Sequence, residues 1–124
     1  MAFEALTKDV TREAEKRGYK VRVEGDKIII ETEDLPLGIE VSRSGDTVTV
    51  RLYAGSDMEE SIRDYAEEVE NIRESVEDLL EEAVSMVDYV ARKAENMGFK
   101  VKRDTRTAIF DVYEALDSYE ESLG

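Results

Sequence analysis

The sequence predicts an α+β fold in one domain of 124 residues, from three observations. Apolar residues recur every three or four positions near both ends and through the middle, which is the helical period. Between them lie runs that alternate apolar and polar residues, the period of strands. Single glycines stand where one period gives way to the other.

Residues 2–17 form the first expected helix, with Phe3, Leu6, Val10 and Ala14 on one face and Gly18 ending it. YKVRVE then alternates, and KIIIETE follows a turn at Gly25 and Asp26. Pro36 and Gly38 punctuate the next connection, after which IEVSR and TVTVRLY flank a turn at Ser44, Gly45 and Asp46. Four antiparallel strands in meander order are the simplest reading.

Residues 56–97 contain no glycine or proline, and Ser56 with Glu59 makes a capping box. Ile62, Tyr65, Val69, Ile72, Val76, Leu79, Ala83, Met86 and Val90 form a heptad seam. One continuous helix of that length spans about 63 Å, far beyond a domain whose radius of gyration is about 14 Å. The apolar face widens after Leu80, as for a helix covering a sheet. This predicts that residues 76–97 pack on the core while Ile62, Tyr65, Val69 and Ile72 form a dimer interface. A break near residues 71–75 that folds the seam into one monomer is the alternative. After Gly98, FKVK begins a fifth strand. The expectation is a C-terminal hairpin whose second strand, TAIFDV, reaches Val112, then a short helix. Ala108, Ile109, Val112, Leu116, Tyr119 and Leu123 also fit a helical face.

The chain carries 17 basic and 31 acidic residues, a net charge of −14, and no His or Cys. Zinc sites of the usual kind, thiol nucleophiles and imidazole bases are thereby absent. No phosphate-cradling glycine loop occurs, and no nucleophile elbow. Only carboxylate, Lys, Tyr or Ser chemistry remains, so a non-enzymatic protein without cofactor or metal is expected. With no Gln and two Asn beside abundant Glu, Lys and Arg, the composition points to a thermophilic, archaeal source. No run is long and apolar enough for a membrane span, and the N-terminus lacks a signal-peptide layout, so a cytoplasmic location is expected.

Charge is unevenly placed. Residues 56–91 hold two basic and 13 acidic groups, whereas residues 92–110 hold six basic and two acidic. The basic segments contain two similar phrases, AEKRGYKVRVEGDKIII from Ala14 and AENMGFKVKRDTRTAIF from Ala94, with six identities at an offset of 80. Internal duplication and convergence on one helix-to-strand junction both account for them. Alternation puts Tyr19 and Phe99 with Val21 and Val101 on the core face. The opposite face then gathers Lys20, Arg22, Ile29, Arg51, Tyr53, Lys100 and Lys102, which together with Arg103 form the candidate surface for a protein partner or single-stranded nucleic acid. Glu70, Glu74, Asp78 and Glu82, four apart, give the middle helix an acidic ladder, read as a solvated face or a dock for a basic partner.

Helix, antiparallel strands around SRSGDTVTV, long helix, then GFKVKRDTRTAIFDV resembles the small acidic chaperones of type III secretion in element order and charge. That resemblance implies a homodimer that binds extended client segments and performs no reaction. The basic residues of the two phrases also resemble the archaeal ThermoDBP group, which implies single-stranded-DNA binding. The net charge opposes this, because such affinity comes largely from phosphate neutralisation.

Overall fold

A computed structural model describes residues 2–124. Helix α1 (Ala2–Lys16) leads into strands β1 (Lys20–Glu24), β2 (Lys27–Glu31), β3 (Leu37–Ser44) and β4 (Thr47–Ala54). Helices α2 (Met58–Tyr65) and α3 (Ile72–Asn96), strand β5 (Lys100–Asp104) and helix α4 (Arg106–Leu123) complete the chain. The five strands lie in the order β1-β2-β3-β4-β5. The first four pair antiparallel as a meander and β5 pairs parallel to β4. Parallel pairing needs a long crossover, which α2 and α3 supply.

The helices cover one face of the sheet. Their apolar stripes (Leu6, Val10 and Ala14; Val76, Ala83, Met86 and Val90; Val112 and Leu116) meet Ile28, Ile30, Ile39, Val41, Val48, Val50 and Leu52 in a single core. Each of these sheet residues sits at an alternate position of its strand, so period-two patterning alone selects the covered face.

Three expectations need correction. The long helix is broken: α2 ends at Tyr65, and α3 begins after Asn71, whose side chain accepts a hydrogen bond from the Glu74 amide at 3.1 Å. Asn-x-x-Glu here is the cap that forms, whereas α2 starts behind Asp57 with no side-chain cap and the Ser56 box is not used. Second, the seam is spent inside the monomer. Ile62 is fully buried, Tyr65 and Ile72 pack against the core, and Val69 lies half-buried in the link. Ile62 is therefore closed off from any dimer contact, because the break folds α2 back onto α4.

Third, no C-terminal hairpin forms. β5 is followed at once by α4, which makes residues 107–112 helical. In the first copy Gly25 turns the chain with φ +59°. The second copy has no glycine there, and Ala108, Val112, Leu116 and Tyr119 bury a helical stripe instead.

The repeated phrase has a structural meaning nonetheless. Gly18 and Gly98 hold φ of +91° and +95°. The Tyr19 amide bonds the Ala14 carbonyl at 2.9 Å, and the Phe99 amide bonds that of Ala94 at 3.1 Å. Both are the same left-handed helix stop. Each feeds a five-residue strand with the same exposure pattern, and these strands are the two edges of the sheet.

Tyr19 and Phe99 face the helices as expected, and Phe99 meets Phe3 edge-on at 6.4 Å. The Tyr19 hydroxyl is buried with no hydrogen-bond partner among the described residues. Burial first, then the Glu82 carboxylate, pushes its pKa up to about 12 from 10.0. The folded state thus keeps the proton where the unfolded chain loses it, so the contribution is intact below pH 10 and is lost as pH rises from 10 to about 12. Denaturant midpoints should fall across that window in the wild type, and Tyr19→Phe should flatten the fall. An equal slope in the variant would rule Tyr19 out as its source.

Candidate functional site: the open face of the sheet

Register assigns the uncovered face residue by residue. One row across the strands reads Arg22, Ile29, Glu40, Arg51 and Asp104. A second reads Lys20, Glu31, Gly38 and Tyr53, and a third reads Glu24, Lys27, Ser42, Thr49 and Lys102. Lys100 stands beside Thr47. Seven of the eight candidate residues are thereby gathered on one surface.

Arg103 is the exception. It aligns with Val50, on the helix side, and its guanidinium bonds Asp88 of α3. Successive strand residues face opposite ways, so Lys102 and Arg103 cannot share a face. Ile29 is also not the exposed apolar contact that was expected. It lies on the open face, outside the main core, yet is only 7% exposed. Its register neighbours Arg22 and Glu40 are long enough to lay their methylene stems across it.

Electrostatically the face is a lattice of pairs. Arg22 reaches Glu24 at 3.3 Å and Glu31 at 3.4 Å. Glu40 is shared between Arg51 at 3.6 Å and Lys27 at 3.9 Å. Lys20 meets Glu33 at 3.3 Å and Lys100 meets Asp46 at 3.8 Å. Among the described residues Lys102 is the only open-face cation with no carboxylate within 4.0 Å. Each exposed pair is worth about 0–1 kcal/mol, so the lattice sets where charge lies more than it stabilises the fold.

At its centre Tyr53 lies over Gly38. A Cβ on Gly38 would fall 2.4 Å from the Tyr53 hydroxyl oxygen, so only glycine leaves room for the ring. The Arg51 guanidinium stacks 5.5 Å from the ring centroid. Burial, then the nearby Glu31 carboxylate, raises the Tyr53 phenol above its ordinary pKa. The phenol therefore stays a neutral hydrogen-bonding group through physiological pH. Gly38 is a position of the candidate site that the sequence marks only as punctuation before β3. The signal was present, since a glycine inside a strand marks a close approach.

The acidic ladder does not survive as a unit. Glu70 lies in the link before α3, and Glu82 is held by Arg17 at 3.2 Å. Only Glu74 and Asp78 stand free of the fold on successive turns. Among the described residues no group of three carboxylates is placed to hold a metal ion, and no helix is long and apolar enough to cross a membrane.

No family model, curated protein or solved structure matches this chain.

Proposed function

We propose that the protein is a non-enzymatic binding module that engages a protein partner through the open face of its sheet. The observation that carries this is the Arg51–Tyr53 stack seated over Gly38 and ringed by cross-strand ion pairs. Tyr and Arg dominate binding hot spots, because each offers a large, orientable contact surface together with hydrogen-bonding groups. The paired charges around them form a polar rim whose acceptors and donors can exchange partners. Client binding without a reaction is also what the chaperone-like element order implies.

Single-stranded nucleic acid is the second reading, supported by the six cations on this face, Lys20, Arg22, Lys27, Arg51, Lys100 and Lys102. Four carboxylates, Glu24, Glu31, Glu40 and Asp104, share the face with them. A phosphate chain would have to displace these partners, which favours the protein ligand.

Selection of a displayed peptide library on the immobilised protein tests the proposal. Enriched peptides should lose at least about tenfold in affinity with Tyr53→Ala or Arg51→Ala, and little with Glu74→Gln and Asp78→Asn. Enrichment indifferent to Tyr53 and Arg51, or none at all, overturns it. A salt-dependent anisotropy change with oligo-dT, lost in Lys100→Glu and Lys102→Glu, would replace it with the nucleic-acid reading.

A further inference from the structure

The two copies of the repeated phrase build the two edges of the sheet, and the edges differ at one telling position. On β5 the position toward the helices holds Arg103, bonded to Asp88. Its counterpart on β1 is Val23, which is 51% exposed. A charge turned inward from an edge strand deters pairing with another sheet, and β1 has no such charge. Among the described residues no strand lies beyond β1.

The β1–β2 hairpin turns on Gly25 and Asp26 and closes with Glu24 opposite Lys27. In a two-residue hairpin the closing pair is hydrogen-bonded, and antiparallel pairs then alternate. Lys20, Arg22 and Glu24 therefore spend their backbone groups on β2, while the N–H and C=O of Val21 and Val23 point to the free edge.

We propose that a second copy of this chain pairs with β1, antiparallel, about a two-fold axis at Arg22. The sequence KVRVE is self-complementary in that register. Lys20 faces Glu24 of the second copy, and Val21 faces Val23, so each ammonium meets a carboxylate and each exposed Val23 meets a half-buried Val21. The free backbone groups of Val21 and Val23 bond one another across the axis. Arg22 faces itself, but each guanidinium already lies 3.3 Å from Glu24 and 3.4 Å from Glu31, which neutralise the like pair.

On the helix side of the same edge, a groove of about 560 Å³ is lined by Phe3, Thr7, Val23 and Arg43. Arg43 stacks on Phe3 at 5.4 Å, and the charged Glu4, Lys8 and Asp26 also line the groove. Val21 of the second copy is placed against its Val23 wall. The symmetry closes the assembly as a dimer with one continuous sheet. Pairing of β1 with β5 would instead propagate without end, and Arg103 blocks it. The contact shares Lys20, Arg22 and Glu24 with the open face but not its centre, since β4, which carries Arg51 and Tyr53, lies three strands from β1, so Tyr53→Ala and Val23→Lys tell the two readings apart.

Sedimentation equilibrium on the full chain at physiological salt tests the contact. The wild type is expected to dimerise at micromolar concentration, and Val23→Lys to weaken dimerisation at least about tenfold. Val23 is half exposed, so that variant should fold. Lys20→Glu and Glu24→Lys should each be monomeric alone and form a heterodimer when mixed, because mixing restores both opposed pairs. Since the chain has no cysteine, Arg22→Cys gives a clean cross-link test. The two Cα atoms would lie about 4.5 Å apart in a non-hydrogen-bonded pair, within disulfide reach, so oxidation should yield a covalent dimer. A monomeric wild type overturns the proposal. So does a dimer that ignores Val23→Lys, or charge variants that fail to combine.

Discussion

Ile62→Ala is expected to destabilise the protein by about 2–5 kcal/mol, the range for removing a large aliphatic side chain from a closed core. Ile62 is fully buried on α2, where the amphipathic stripe of that short helix packs back onto the rest of the domain. An eight-residue helix has almost no stability of its own in water, so it exists only because that stripe is buried. The melting temperature should drop by on the order of 10 °C for a domain of this size. Measured in the Val23→Lys background, where the β1 edge contact is removed, that drop should not depend on protein concentration. The measurement therefore separates two roles for one residue, since a seam used between chains would give a concentration-dependent midpoint. An unchanged midpoint with altered sedimentation would sink the intramolecular packing of α2.

Gly38→Ala should have the next largest effect, and it couples stability to the candidate site. The new methyl would sit 2.4 Å from the Tyr53 hydroxyl oxygen, 2.5 Å from the ring carbon bearing it and 2.9 Å from the Ile30 carbonyl oxygen. The tyrosine can swing away, but the Ile30 oxygen belongs to the backbone of the neighbouring strand and cannot. Overpacking of this kind costs about 1–3 kcal/mol. Near-ultraviolet circular dichroism should report the displaced ring, since the chain has six Tyr and no Trp to mask it. In a double-mutant cycle with Tyr53→Ala, residues in direct contact should couple by about 0.5–3 kcal/mol. Strict additivity would show that the ring does not rest on the glycine. If Tyr53 anchors a ligand, Gly38→Ala should also weaken the selected peptides while leaving the β1 edge dimer intact.

Which parts of this molecule could be read from the chain follows from the range over which each signal acts. The α+β class, the N-terminal helix, the four-strand meander and the separation of Tyr19 and Phe99 from the lysines and arginines beside them were all legible. Each depends on residues within a few positions of one another, where period two or period three-to-four decides which way a side chain points. The split of the middle helix was harder. Asn71 and Glu74 carried a cap signal, but the heptad seam ran across it without a gap, and both a continuous and a folded helix satisfy the same spacing. Residues 107–112 were ambiguous for the same reason: TAIFDV suits a strand, and its neighbours Leu116 and Tyr119 suit a helix.

The candidate site shows the same division. Alternation placed Lys20, Arg22, Arg51, Tyr53, Lys100 and Lys102 on one face, and the sheet order confirms their common side. What alternation could not reveal was cross-strand pairing, because Arg22 with Glu31 or Arg51 with Glu40 depends on register between segments distant in sequence. For that reason a surface that reads as basic along the chain is a nearly neutralised lattice in space. Arg103 was misplaced by treating a run of like residues as a patch, when successive residues on a strand must part company.

By itself, then, the sequence determined the elements, the core face of each strand and the two left-handed helix stops that make its repeated phrase. Only the tertiary structure decided that those stops launch the two edges of one sheet, and that α4 replaces a second hairpin. It also decided that Ile62, Tyr65 and Ile72 of the heptad seam meet the monomer's own core. Local period fixes which side of an element is apolar, but it carries no information about what that side will meet. That choice belongs to the whole chain, in which α2 packs against α4 and the buried residues of both join one core.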